Sequence, residues 1–182
     1  MALIPADLIE RARKFDREAL TEIHNQFYPV VYRYVRYRLD DELACEDITS
    51  EVFTRFLQAL KRPERKIEDL RGWLLGTSAN LIHDFFRNRY RQPVDNLEDQ
   101  DSLIELQTAE LVADHKLTLI ELRQAILKLT QDQQNVLALR FSQELSLEET
   151  AHLCGKTVNA VKVLQFRALA ALRRCLVERS EE

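Results

Sequence analysis

The sequence predicts an all-α protein built as two small helical domains joined by an acidic linker. Three observations carry that expectation. First, 46% of its 182 residues are hydrophobic but only 3 are Gly and 4 are Pro, so cores can form while the turn residues of a many-stranded fold are scarce. Second, apolar residues recur at three- and four-residue spacing over long stretches. Third, charge is segmented along the chain. Residues 61–91 hold eight Lys and Arg against four acids, residues 95–114 hold seven acids and no Lys or Arg, and residues 155–174 hold five Lys and Arg and no acid. Two basic modules thus flank an acidic connector, and the net charge of −4 conceals both of them.

In chain order, a short helix is expected near residues 7–15. Leu20, Ile23, Phe27, Val30, Val31 and Tyr34 then mark one face of a helix over about 16–39, with Pro29 a site for a kink. A following helix, starting at Asp40 or Asp41, turns Ile48, Val52, Phe56 and Leu60 inward and leaves Asp47, Glu51 and Arg55 together on another face. After a charged loop, Trp73, Leu74, Thr77, Leu81 and Phe85 resume helical spacing to about Tyr90. These helices form a first domain over residues 1–91.

Pro93 and the acids make residues 92–114 a linker, and residues 115–182 a second domain. Leu119, Leu122, Ile126 and Leu129 predict one helix, and residues 133–140 another that ends before Ser142. Ser146 with Glu149 three residues on is a capping-box signature. Ala151 permits close helix approach, Gly155 suits the turn, and Thr157 can cap the next helix, whose Val158 and Val161 face inward. This is a helix-turn-helix pattern. Thr157, Asn159, Ala160 and Lys162, with Val163, Phe166 and Arg167 beyond, are positioned for a major groove or phosphates, although the motif alone also suits a structural helical hairpin.

A second constellation runs over residues 71–91, where aromatic residues alternate with Arg. Such a segment can stack on unpaired bases, and its aromatics can equally be core residues. Cys45, Cys154 and Cys175 are widely spaced and read as small hydrophobes rather than metal ligands, so no metal or cofactor is expected. No apolar run reaches the roughly 18 residues that span a bilayer, which predicts a cytoplasmic protein without membrane insertion. The four His are scattered and no phosphate loop, HExxH or GxSxG is present, so an enzyme is not indicated.

Residues 47–53 (Asp47 to Phe53) followed by Leu70-Arg71-Gly72-Trp73-Leu74 and Ala79-Asn80-Leu81 resemble the second conserved region of the sigma-70 family of RNA polymerase sigma factors. Residues 129–176, above all 153–169, resemble the fourth. The order and short connector are similar to the extracytoplasmic-function type. The resemblance implies a subunit that directs core polymerase to promoter DNA. Asp47, Glu51 and Arg55 would meet the polymerase, whose beta-prime coiled coil and beta flap are the implied partners. Lys66, Arg71, Trp73, Thr77, Asn80 and Arg87 would hold the minus-ten strand. Lys156, Thr157, Asn159, Ala160, Lys162, Val163, Phe166 and Arg167 would read the minus-thirty-five duplex. An anti-sigma factor is a further partner of such proteins. The rival reading is a stand-alone helix-turn-helix regulator that binds DNA without polymerase.

Overall fold

The computed structural model describes residues 6–62, 67–91 and 113–180, and every regular element among them is helical. Helix α1 (Ala6–Arg13) sets Leu8 and Ala12 into the core and ends where Phe15 takes φ 57°. Helix α2 (Arg17–Arg38) starts at Asp16, whose carboxylate accepts from the Glu18 and Ala19 amides at 2.9 and 3.1 Å. The Arg11 guanidinium at 3.0 Å and those amides hold the Asp16 carboxyl below its ordinary pKa. α2 runs unbroken through an exposed Pro29 and buries Ala19, Ile23, Phe27, Val31, Tyr34, Val35 and Arg38 on one stripe.

Helix α3 (Glu42–Leu60) is capped by Asp41, which accepts from the Ala44 amide at 3.1 Å, and buries Cys45, Ile48, Val52 and Phe56. Helix α4 (Leu70–Arg91) begins where the Asp69 carboxylate accepts from the Gly72 amide at 3.0 Å. A Cβ at Gly72 would stand 2.2 Å from that carboxylate, so the tight start admits no larger residue unless Asp69 swings away. Leu70, Leu74, Leu75 and Ile82 complete the core that α2, α3 and α4 share.

The C-terminal unit holds α5 (Ala113–Leu127), α6 (Gln131–Leu137), α7 (Leu147–Cys154) and α8 (Val158–Ser180). α5 starts at Ala113, within the end of a stretch read as a linker with room for some helix. One expectation changes here. The helix expected over 133–140 starts earlier, at Gln131, and passes into a π-helical turn, Ala138–Ser142, instead of ending before Ser142. Thr130 caps α6 in a reciprocal box with Gln133. Ala125, Ile126 and Leu129 pack on Ala168 and Leu172 of α8, while Val136, Ala151 and Val161 knit α6, α7 and α8 together. Ala138, Leu139 and Leu145 instead join the core of the N-terminal bundle, so the first core continues across the boundary between the two units.

Candidate nucleic-acid interface

The helix-turn-helix forms as its residues dictate. Ser146 and Glu149 cap α7 reciprocally, and hydrogen bonds from the Ser146 backbone N–H and then its hydroxyl hold the Glu149 carboxyl below its ordinary pKa. Gly155 takes the left-handed conformation, φ 60° and ψ 34°, and the Lys156 amide reaches back to the Ala151 carbonyl at 2.9 Å. Thr157 then caps α8, its hydroxyl accepting from the Ala160 amide at 3.2 Å. Ala151 and Val161 are buried where α7 and α8 approach.

With that face of α8 committed to the core, the opposite face is free. Asn159, Lys162, Val163, Phe166 and Arg167 lie on one exposed stripe, continued by Arg173 and Arg174. Phe166 is 75% exposed, an aromatic ring that no core holds. Thr157 is exposed at the head of the stripe. Two members of the expected set stand apart from it: Ala160 is half-buried, and Lys156 turns back to pair with Asp132 at 2.9 Å.

On α4, Trp73, Thr77, Asn80 and Arg87 fall on one line at three-, four- and seven-residue intervals. Trp73 leans on Phe56 with ring centroids 5.9 Å apart, and the Thr77 hydroxyl donates to the Trp73 carbonyl at 2.8 Å. Asn80 is exposed, and Arg87 pairs with Asp84 at 2.9 Å while staying half in solvent. Arg71 does not join this line. Its guanidinium donates to the Gln143 carbonyl, on the side facing the C-terminal unit. Lys66 lies outside the described residues.

Asp47, Glu51 and Arg55 share one face of α3, with Arg55 Nε 2.9 Å from Glu51 Oε1 and both side chains more than two-fifths exposed. Sequence reasoning missed two neighbours. Leu43, one turn before Asp47, is 74% exposed. His24, Tyr28 and Tyr32 of α2 form a ladder at four-residue steps, and His24 and Tyr28 meet Phe53 of α3 at 5.0 and 6.1 Å. The four-residue spacing of aromatics was the available signal. Among the described residues no group of three or more His, Cys, Asp and Glu could hold a metal ion, and no helix is long and apolar enough to cross a membrane.

Comparison with known proteins matches residues 23–92 to Sigma-70 region 2 and residues 125–174 to Sigma-70, region 4. The ECF RNA polymerase sigma factor BldN of Streptomyces coelicolor is 34% identical over 171 residues, 93% of this chain and 65% of the relative. SigD of Mycobacterium tuberculosis, also an ECF sigma factor, is 31% identical over 87% of this chain and 77% of its own length. ShbA of Streptomyces griseus is 27% identical over 91% and 92%. In fold, the chain is similar to RpoE of Bartonella quintana solved with the anti-sigma factor NepR (TM-score 0.69, 19% identity, 86% of this chain and 95% of that one). It is likewise similar to CnrH solved with the cytosolic domain of CnrY (TM-score 0.68, 21% identity, 94% and 96%).

Proposed function

The chain belongs to the extracytoplasmic-function sigma factors of the sigma-70 family, and from that premise we propose that it directs core RNA polymerase to promoters through three separate faces. The observation that carries the reading is the exposed stripe of α8, apolar and cationic with no acid on it. There Asn159 reads a base edge, Val163 and Phe166 meet thymine methyl groups, and Lys162 and Arg167 hold phosphates of the minus-thirty-five duplex. Lys156, Thr157 and Ala160 serve the same helix as flanking contacts and as its cap.

On α4, Trp73, Thr77, Asn80 and Arg87 take the unpaired minus-ten strand, the indole ring offering a stacking surface and Asn80 its amide. Arg71 and Lys66 flank that strand once Arg71 leaves the Gln143 carbonyl. Asp47, Glu51 and Arg55 meet the polymerase's beta-prime coiled coil, and Leu43 adds an apolar contact beside them. The C-terminal unit sits against the beta flap. Residues 1–91 and 115–182 act as the two promoter-reading domains, with 92–114 between them. The chain leaves bond formation to the polymerase, needs no cofactor of its own, and works in the cytoplasm. An anti-sigma factor restrains it, a reading supported by the likeness in fold to RpoE solved with the anti-sigma factor NepR.

Transcription by purified core polymerase with and without the chain, with start sites mapped across genomic DNA, tests the proposal. Starts that appear only when the chain is added, each preceded by a shared pair of elements, are expected. Binding of the chain alone to those sites, with no effect on polymerase, would favour a stand-alone regulator instead.

A further inference from the structure

Arg140 ties the helix-turn-helix together from outside it. Leu137 shares a core with Ala168 and Leu172 of α8, and Arg140, three residues on, reaches the same helix one turn earlier, at Gln165. There Arg140 Nε donates to Gln165 Oε1 at 3.1 Å. Another nitrogen of the guanidinium donates to the Leu145 carbonyl, in the bend that leads from Glu144, φ 55°, into α7. One side chain thus joins the π-helical turn, the approach to α7 and the middle of the reading helix.

The bond also decides what Gln165 has left to offer. A side-chain amide carries an acceptor oxygen and a donor nitrogen that exchange places by a half-turn. With Oε1 taken by Arg140, Nε2 is the free end, and no described residue accepts from it. Gln165 is half-buried and adjoins Phe166, with Lys162 one turn before it, so this donor stands at the edge of the exposed stripe. At 3.6 residues per turn it lies about 120° around α8 from Asn159. A helix in a major groove turns its central face to base edges and its flanks to the phosphate walls. An N–H group at that edge therefore meets a phosphate oxygen. As a strut alone the pair would be stronger with a carboxylate at position 165, since hydrogen bonds between two charged groups exceed those to a neutral amide. The amide keeps a donor there instead, within residues 155–174, which hold no acid.

We propose that Gln165 is a further DNA-contacting residue of α8, a neutral donor to one backbone phosphate of the minus-thirty-five duplex, and that Arg140 is the positioning residue that fixes its amide. The contact deepens the sigma-factor reading and rests on it, whereas the pairing of Arg140 with Gln165 is a property of the chain itself.

Holoenzyme assembled from core polymerase and full-length variants, binding promoters found by start-site mapping, provides the test. Gln165→Leu should weaken binding about tenfold or more at every promoter, as loss of a hydrogen bond to a charged group requires, and leave base preference unchanged. Its salt slope should stay at the parent's value, because a neutral donor displaces no counterion. Gln165→Glu keeps a bond to Arg140, so its thermal unfolding should match or exceed the parent's. Its binding should nevertheless fall further than that of Gln165→Leu, because a carboxylate then faces the phosphate. Arg140→Met should cost about threefold less in the Gln165→Leu background than in the parent, since Arg140 acts through Gln165. Parent-like binding by Gln165→Leu or Gln165→Glu would reduce the pair to a structural strut, and altered base preference in Gln165→Leu would make Gln165 a base contact. Either result overturns the phosphate contact. Equal losses from Arg140→Met in both backgrounds would overturn the positioning role. A parent chain that gives polymerase no promoter binding would overturn the sigma-factor reading itself, and the phosphate contact with it.

Discussion

Ser146 and Glu149 hold each other at the start of α7: the Ser146 amide donates to Glu149 Oε2 at 2.7 Å, and the Glu149 amide donates to Ser146 Oγ at 3.1 Å. Ser146→Ala should therefore lower stability by about 1 kcal/mol, within roughly 0.5–2, measured by urea unfolding at neutral pH. The Glu149 carboxyl is depressed in the folded state, first by the Ser146 backbone bond. A depressed carboxyl stabilises the fold in full above its unfolded pKa, and the contribution disappears as pH falls through the folded one. The stability gap between the parent and Glu149→Gln should thus narrow in acid. A gap that stays constant down to about pH 3 would contradict the assignment.

Asp47→Arg and Glu51→Arg should each weaken binding to core polymerase about tenfold or more, roughly 1.4 kcal/mol, because reversed charges oppose a complementary surface. Both side chains lie on an open helix face, so thermal unfolding should hardly change. Pull-down with core polymerase beside a melting curve checks both statements. Undiminished capture would remove this face from the polymerase contact.

Within α8, Asn159→Ala should relax base preference at one or two positions, costing about 1–3 kcal/mol for the favoured base, while Lys162→Ala weakens all promoters alike and lowers the salt slope by about one. Site selection with the holoenzyme separates the two outcomes. An Asn159→Ala preference identical to the parent's would exclude that side chain from base reading.

Phe166→Ala offers a sharper contrast. A buried Phe costs about 3–5 kcal/mol when truncated, and Phe56, 2% exposed, should behave so. Phe166, at 75% exposure, should cost less than about 0.5 kcal/mol, yet DNA affinity should fall and discrimination of thymine from uracil at one position should be lost. Equal destabilisation of the two variants would place Phe166 in a core.

The capping box at Ser146, the helix starts near Asp16 and Asp41 and the apolar stripes of α2 and α3 were legible because each rests on residues within one or two turns of one another. Thr130 and Gln133 carried the same kind of signal, and with it the earlier start of α6. The exposed line of α8 was legible because its buried counterpart, Val161 and Ala168, left only one face open. Arg71 was not, since its acceptor is a main-chain carbonyl 72 residues away in sequence. Nor was the π-helical turn Ala138–Ser142, from which Ala138 and Leu139 enter a core made by residues far away in sequence.

Leu139 and Leu145 bring heat into the picture. Both are at most 5% exposed and, with Ala138, enter the core of the N-terminal bundle, so parting the two units brings Leu side chains into water at up to about 1.5–3 kcal/mol each. Halves that share buried surface in this way melt in concert. Differential scanning calorimetry of the free chain should record a single peak, with calorimetric and van't Hoff enthalpies in agreement, and Leu139→Ala should move that peak as a whole. A sigma factor waiting for polymerase would then keep or lose both of its reading surfaces at one temperature.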